Sequence, residues 1–106
     1  MKCNCGKYLS PVKTIDEIND RCEKYDEIWD SLDEVTADFV KWMSVSKCKV
    51  CNRYWAMERP FGETQRQKCF YHIECDDPHK WLKENANILE KIQNILGFLS
   101  LKKGVL

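Results

Sequence analysis

The sequence predicts an α+β fold: an N-terminal helix, a three-stranded antiparallel sheet and a C-terminal helix packed on the sheet. Two observations indicate the helices and the sheet. Apolar residues recur at steps of three and four near both ends of the chain, and the middle alternates apolar and polar residues. A third observation, Cys48-Lys49-Val50-Cys51 between two strand-like segments, indicates a hairpin tipped by two cysteines.

The length and charge of the chain limit what it can be. At 106 residues we expect a single domain, 1–106. No apolar run approaches the roughly 18 residues of a membrane span, and the N-terminus lacks the apolar core of a signal peptide. We therefore expect a cytoplasmic protein without a membrane partner. The net charge is zero, yet residues 14–38 carry ten acids and two bases, so this segment is strongly acidic.

The first helix is predicted over residues 14–34, after a basic arm, 1–13, that we call the knuckle arm. Thr14 and Glu17 form a capping box at its start. The apolar stripe that follows predicts one buried helix face, so Cys22 is interpreted as a buried thiol and Trp29 as core, with the acids facing solvent. The stripe is Ile15, Ile18, Cys22, Tyr25, Trp29 and Leu32.

Three strands are predicted within residues 39–75, as an antiparallel meander: 39–47, 53–59 and 69–75. In the second strand, alternation places Trp55 and Met57 on one face and Tyr54, Ala56 and Glu58 on the other.

A C-terminal helix is predicted over residues 77–101, and two acids, Asp76 and Asp77, lie at its start. Asp77 is the N-cap and Pro78 the first helical residue. The final turns are apolar on several faces, so they either pack deeply against the sheet or meet a partner.

The seven cysteines favour a metal site over a disulfide framework, because their number is odd and no export signal is present. A tetrahedral zinc ion needs four nitrogen or sulfur ligands. Cys48 and Cys51 supply two, and Cys3 and Cys5 of the knuckle arm supply the others. This predicts a zinc-knuckle hairpin with a closed, structural Zn²⁺. Gly6, after the first pair, resembles the small residue that such turns often need, where φ can be positive, and Asn52, after the second pair, tolerates the left-handed conformation.

An alternative site draws on Cys69, His72 and Cys75, if the segment that holds them bends. The other histidine, His79, is expected on an exposed helix surface. The sequence offers no base–nucleophile pair and no open metal site. We therefore expect neither an enzyme nor a small-molecule substrate.

Two resemblances concern function. Cys3-Asn4-Cys5-Gly6 and the Cys48–Cys51 hairpin make the chain similar to zinc ribbons. The cysteine pair followed by Tyr54-Trp55 and then by Pro60-Phe61-Gly62-Glu63 resembles small bacterial immunity proteins, which neutralise polymorphic or contact-dependent toxins. The second resemblance implies a cytoplasmic protein that binds and occludes one toxin domain.

The acidic segment fits a basic protein partner, such as a nuclease toxin domain, since charge complementarity raises association rates. We hypothesise that exposed acids of the first helix form the surface that binds this partner. The alternative interpretation is that they form a helix face that contacts only solvent. The proposed contact residues are Asp20, Glu23, Asp26, Glu27 and Asp30.

The alternative function is a nucleic-acid-binding zinc ribbon. Its support is a set of bases around the hairpin, with Tyr54 and Trp55 available to stack on nucleotide bases. The basic residues are Lys47, Lys49, Arg53, Arg59, Arg66 and Lys68.

Overall fold

A four-stranded antiparallel sheet, with strands in the order β1-β2-β3-β4, forms the centre of the fold. The computed structural model describes residues 2–60 and 68–94. The elements are a 3-10 helix (Cys5–Tyr8), α1 (Ile15–Glu23), α2 (Asp26–Trp29), β1 (Leu32–Asp38), β2 (Met43–Cys48), β3 (Tyr54–Glu58), β4 (Cys69–Ile73), α3 (Pro78–Glu84) and α4 (88–94). The predicted α+β class, with an antiparallel sheet and a C-terminal helix, is confirmed. None of the helices in this part of the chain has the length and apolar character needed to cross a bilayer.

The prediction of three strands is wrong, because β1 precedes the three that the sequence indicated. Those three are β2, β3 and β4, paired in chain order. β1 pairs with β2 from Leu32 opposite Cys48 to Asp38 opposite Met43, with a bulge between Glu34 and Thr36. The strand predicted from residue 39 starts only at Met43, since residues 39–42 form the turn after β1.

The single N-terminal helix predicted over 14–34 is also wrong. Its capping box is present: the Glu17 N–H donates to Thr14 Oγ1 at 3.2 Å, and the Thr14 hydroxyl donates to the Glu17 carboxylate at 3.0 Å. α1 nevertheless ends at Glu23, and the chain continues as the one-turn helix α2 and then as β1. Val35 and Thr36 are β-branched residues that favour a strand, and β1 gains backbone pairing with β2.

The break between α1 and α2 changes which side chains are buried. Ile18 and Cys22 on α1 are buried as predicted, but Ile28 replaces Trp29 as the buried residue of α2. Trp29 is 52% exposed and Ile15 is 43% exposed, so the prediction that both belong to a continuous buried stripe is wrong. In a continuous helix, residues spaced three or four apart all face the core. After a break, the next turn can place a different residue against the core.

Both faces of the sheet are covered. The predicted alternation on β3 is confirmed: Trp55 and Met57 enter one cluster, and Tyr54 and Ala56 contact the other. The buried members of the first cluster are Ile18, Cys22, Met43, Val45, Ala56, Cys69, Tyr71, Ile73, Leu82, Ile88 and Ile92. Those of the second are Cys5, Tyr8, Ile28, Cys48, Trp55, Met57 and Phe70.

The C-terminal helix predicted over 77–101 is interrupted at residues 85–87, and its part from 95 to 101 lies outside the described residues. Its start is as predicted, since Asp77 Oδ1 accepts from the His79 and Lys80 N–H groups and Pro78 is the first residue of α3. At the end of α3 the Lys41 ammonium donates to three carbonyls. These belong to Leu82, Lys83 and Asn85, at 3.0 to 3.1 Å. A cation at a helix C-terminus satisfies carbonyls that have no partner within the helix.

Glu58 stabilises the start of α4. Its carboxylate is 1% exposed and accepts from the Ile88 N–H and from the Tyr71 hydroxyl, each at 2.7 Å. Burial raises the pKa of Glu58 above its ordinary value, although these two hydrogen bonds oppose the increase. Because Lys41 caps one side of the interruption and Glu58 the other, the chain breaks its helix without leaving these backbone groups unpaired.

We expect Glu58→Gln to change how stability depends on pH. The pKa of Glu58 is raised above 4.5, so the native protein holds this proton more tightly than the unfolded chain does. Native stability then falls as the pH rises through and above the unfolded value. Relative to Glu58→Gln, the wild type should lose up to about 1.4 kcal/mol per pH unit from about pH 4.5 up to the raised native pKa of Glu58, and no more above it. Urea denaturation at several pH values measures this difference.

The matched control is Glu84→Gln, at an exposed position at the end of α3. Its stability should follow the wild-type pH profile. Parallel profiles for wild type and Glu58→Gln would contradict the assigned cost of burying the Glu58 charge.

Candidate metal centre

Four cysteines from two distant segments converge at one end of the sheet. Cys3 and Cys5 belong to the knuckle arm, Cys48 ends β2, and Cys51 lies in the turn before β3. Their Sγ atoms all lie within 4.8 Å of one another. Cys5 and Cys48 are buried, whereas Cys3 and Cys51 are half-buried. The four residues selected from the sequence are therefore placed together, in an arrangement that can hold a metal ion.

The β2–β3 turn brings Cys48 and Cys51 to the same side. Asn52 has φ 63°, which confirms the predicted left-handed conformation, and its N–H donates to the Cys48 carbonyl at 3.0 Å. The Cys48 N–H donates to the Arg53 carbonyl at 2.9 Å, which closes the hairpin. The Val50 N–H points at the Cys48 sulfur, 3.4 Å away. Backbone N–H groups directed at sulfur favour the thiolate form.

The other cysteine pair uses a different geometry. Gly6 lies inside the 3-10 helix Cys5–Tyr8 and does not use the positive φ that glycine allows. The arm is fixed instead by contacts on either side of Cys5. The Asn4 amide donates to the Glu27 carbonyl at 2.7 Å, and the Tyr8 ring packs edge-on against Phe70, with 5.1 Å between centroids. These contacts place both arm cysteines beside the turn.

The thiols differ in their affinity for protons. Burial acts to raise the pKa of Cys48. Donors that include the Cys51 and Val50 N–H groups and the Ser31 hydroxyl outweigh it and lower that pKa to about 6. Burial also opposes ionisation of Cys51, yet Arg53 donates to its sulfur and the pKa falls. The pKa of Cys5 is raised, by burial first and then by the neighbouring sulfurs. Loss of the thiol proton is therefore easier at Cys48 and Cys51 than at Cys5.

The donor set fits a tetrahedral metal ion. Zn–S bonds of about 2.3 Å put the four sulfurs roughly 3.8 Å apart, and the observed separations, at most 4.8 Å, are within about 1 Å of that arrangement. Four sulfur donors leave no position for water or substrate, which is typical of a structural site. A bound cation would supply positive charge to all four sulfurs at once.

The alternative site, built on Cys69, His72 and Cys75, is not formed. In the described ranges 2–60 and 68–94, the Cys3, Cys5, Cys48 and Cys51 group is the only set of three or more ligand-type side chains close enough for a metal. Cys69 is buried and hydrogen-bonds with Cys22 instead. The His72 ring lies against Trp55, with 5.4 Å between centroids. His79 is exposed, as expected.

Sequence reasoning missed Arg53 as a neighbour of the centre. Its guanidinium hydrogen-bonds with the Cys51 sulfur. The available signal was a base two residues after the second cysteine of the pair. Arg53 supplies positive charge beside a centre whose four thiolates would outweigh a divalent cation by two negative charges.

The five acids proposed for partner binding lie on α1, α2 and the residue after α2. All five are exposed: Asp20, Glu23, Asp26, Glu27 and Asp30. Asp20 forms an ion pair with Lys24 at 2.5 Å. Trp29 lies within this segment, with the Lys68 ammonium 5.7 Å from its ring centroid. The surface therefore combines negative charge with an exposed aromatic side chain that the sequence had assigned to the core.

The nucleic-acid alternative loses one of its stacking residues. Trp55 is 0% exposed and packs against Phe70, so the expectation that it is available to stack on bases is wrong. Tyr54 is half-buried, and the Lys47 ammonium lies 5.7 Å from its ring centroid.

We expect Cys48→Ser to abolish stoichiometric metal binding and to destabilise the fold. Cys48 is a buried member of the centre and of the second core cluster, so its replacement removes a thiolate and leaves a hydroxyl in an apolar site. A loss of more than about 4 kcal/mol is expected, since a bound structural metal contributes directly to folding. Elemental analysis of the purified protein and denaturant unfolding measure the two effects.

Cys75→Ser is the matched control, because Cys75 is a half-buried thiol outside the centre. It should keep the metal content of the wild type. Equal metal content in the two serine variants would exclude the four-thiol centre as the binding site.

Comparison with family models gave no match to this sequence, and neither the curated proteins nor the solved structures compared with it gave a match.

Proposed function

We propose that this chain is a small zinc-stabilised binding protein that inhibits a basic protein partner, as an immunity protein inhibits its toxin. The closed set of four thiols, all within 4.8 Å of one another, carries the structural part of the proposal. The exposed acidic surface of α1 and α2 carries the binding part.

Zinc is the metal that best suits this centre. Sulfur-only tetrahedral sites take zinc or iron, and soft thiolates also select copper(I). Zinc has no redox chemistry and no geometric preference from its d electrons, which suits an ion that only joins the knuckle arm to the β2–β3 turn. Elemental analysis should find one zinc per chain in protein purified without added metal. One iron per chain, or no metal, would contradict this assignment.

The acidic surface supports a partner rich in lysine and arginine. The five acids named above are exposed, and Lys24 is paired with one of them. Complementary charge steers association and suppresses wrong partners, while aromatic anchors supply affinity. Trp29, which is 52% exposed and next to Asp30 in the chain, is an anchor of that kind. The combination favours a protein partner over a merely solvated helix face.

The toxin-inhibitor part rests on the resemblance of Cys48–Trp55 and Pro60–Glu63 to small immunity proteins. A nuclease toxin has a basic groove for phosphates, and an acidic surface is suited to cover such a groove. The protein would act in the cytoplasm by occluding the toxin, with no chemistry of its own.

Changing Glu23, Asp26 and Asp30 together to lysine should weaken partner binding by at least about a hundredfold at low salt, because attraction becomes repulsion across the interface. The same partner should be released from the wild type by high salt. Binding of the purified partner can be measured by titration calorimetry at several salt concentrations. Unchanged affinity in the triple variant would contradict the assigned surface.

The charge-matched control changes Glu74, Asp76 and Glu84 to lysine. These acids are also exposed, after β4 and at the end of α3. This control alters the net charge equally and should leave affinity nearly unchanged. A similar loss in both variants would indicate a general charge effect without a defined surface.

The partner can be obtained by tagged capture from the source cells, with nuclease treatment and a salt series. The expected result is one stoichiometric protein, retained after nuclease treatment, that is toxic when expressed alone and harmless when co-expressed with this chain. Nucleic acid in the eluate, with all protein lost on nuclease treatment, would favour the zinc-ribbon nucleic-acid binder instead.

A further inference from the structure

The one-turn helix α2 and the residue after it carry three of the five acids of the proposed binding surface, as well as Trp29. The three acids are Asp26, Glu27 and Asp30. A helix this short is unstable by itself, because forming the first turn fixes several backbone angles in return for one hydrogen bond. The position of these side chains therefore depends on the tertiary contacts that hold α2.

Both halves of the metal centre hold the backbone of this segment. Asn4, between the two cysteines of the knuckle arm, donates its side-chain amide to the Glu27 carbonyl at 2.7 Å. Lys49, between the two cysteines of the β2–β3 turn, donates its backbone N–H to the Ser31 carbonyl at 2.8 Å. Each donor is flanked by two cysteines of the centre, so a metal ion that fixes the four sulfurs also fixes both donors.

The buried side of α2 is connected to the same centre. Ile28 is 0% exposed and belongs to the second core cluster, which also contains Cys5 and Cys48. Tyr25, just before α2, packs against Phe70 of β4, with 6.4 Å between ring centroids. The sheet therefore holds the start of α2, whereas the backbone of its later residues is held by the segments that carry the cysteines.

α1 is held by different contacts. It begins with its own capping box, and Ile18 and Cys22 belong to the first core cluster, on the other face of the sheet. The Arg21 guanidinium donates to the Ser10 carbonyl at 2.8 Å and lies 5.5 Å from the Tyr8 ring centroid. These contacts join α1 to the end of the knuckle arm that lies beyond the cysteines. Loss of a metal ion would therefore leave α1 and this end of the arm in place.

We propose that the metal ion completes the acidic surface by folding α2. With the ion bound, the two hydrogen bonds from the centre hold α2, and its acids and Trp29 form one surface with the acids of α1. Without the ion, the two cysteine pairs are no longer joined and α2 unfolds, while α1 and the sheet keep their structure. By thermodynamic linkage, a partner that binds the completed surface raises the affinity for the metal by the same factor as the metal raises its own. This inference rests on the proposed function, because it assigns the regulation of the surface that binds the partner.

Backbone chemical shifts of the isotope-labelled protein, measured by nuclear magnetic resonance with zinc and after its removal by a chelator, test the local unfolding. These shifts report helical structure residue by residue. After zinc removal, the shifts of residues 26–31 should move to the values of an unfolded chain. The shifts of α1, Ile15–Glu23, should remain helical in both states.

Two matched pairs of variants test the coupling through zinc affinity alone, measured by competition with a chelator. Glycine is less favourable than alanine in a helix by a factor of about five. If α2 folds when zinc binds, Glu27→Gly should bind zinc about fivefold more weakly than Glu27→Ala. Both variants remove the same exposed carboxylate, so their ratio reports the backbone of α2. The control pair is Asn19→Gly and Asn19→Ala, at an exposed position within α1, and these two should bind zinc equally.

The outcomes separate this inference from the proposed function. Helical shifts of α2 that persist without zinc, or equal zinc affinities for the Glu27 pair, overturn the coupling. They leave the acidic surface to be decided by the triple lysine variant, since neither experiment uses the partner. Loss of the helical shifts of α1, or a fivefold ratio for the Asn19 pair, would show unfolding beyond α2 and also overturn the coupling. A wild-type chain that binds no zinc would overturn the metal centre and this inference together.

Discussion

The convergence of four thiols joins parts of the chain that are separated in sequence by α1, α2 and β1. Closing such a long loop costs entropy, and the contacts of Asn4 with Glu27 and of Tyr8 with Phe70 help to offset that cost. Cys5 and Cys48 are themselves members of the second core cluster, with Tyr8, Trp55 and Phe70. The cysteines thus complete the core on this face of the sheet as well as providing the donor set. A bound ion would fix the arm, the β2–β3 turn and this core together.

The metal centre was predictable because its information is local. Cys-x-Cys and Cys-x-x-Cys bring two sulfurs close without any tertiary structure, and two pairs complete one tetrahedron. Asn52 was predictable for the same reason, since the left-handed region is a property of single residues. Gly6 was not, because a 3-10 helix positions Cys5 by contacts of Asn4 and Tyr8 with distant residues. The sequence pattern contains no information about those contacts.

The errors in the fold have one origin. Helical periodicity continues through Leu32 and through residues 85–87, but in both places tertiary contacts favour another conformation. β1 forms because β2 offers it a ladder of hydrogen bonds from Leu32 to Asp38. The C-terminal helix breaks because Lys41 and Glu58, from the sheet side, cap the two new helix ends. Trp29 is exposed because the helix breaks after α1, so that Ile28 of α2 faces the core in its place.

The bulge between Glu34 and Thr36 has a consequence for self-association. β1 lies at an edge of the sheet, and an unpaired edge is a template on which further chains can add strands and aggregate. A bulge disrupts the regular spacing of donors and acceptors, and the exposed acids Asp33 and Glu34 add negative charge to the same strand. Phe39 and Val40, exposed in the turn after β1, therefore lie beside an edge that disfavours fibre-like assembly.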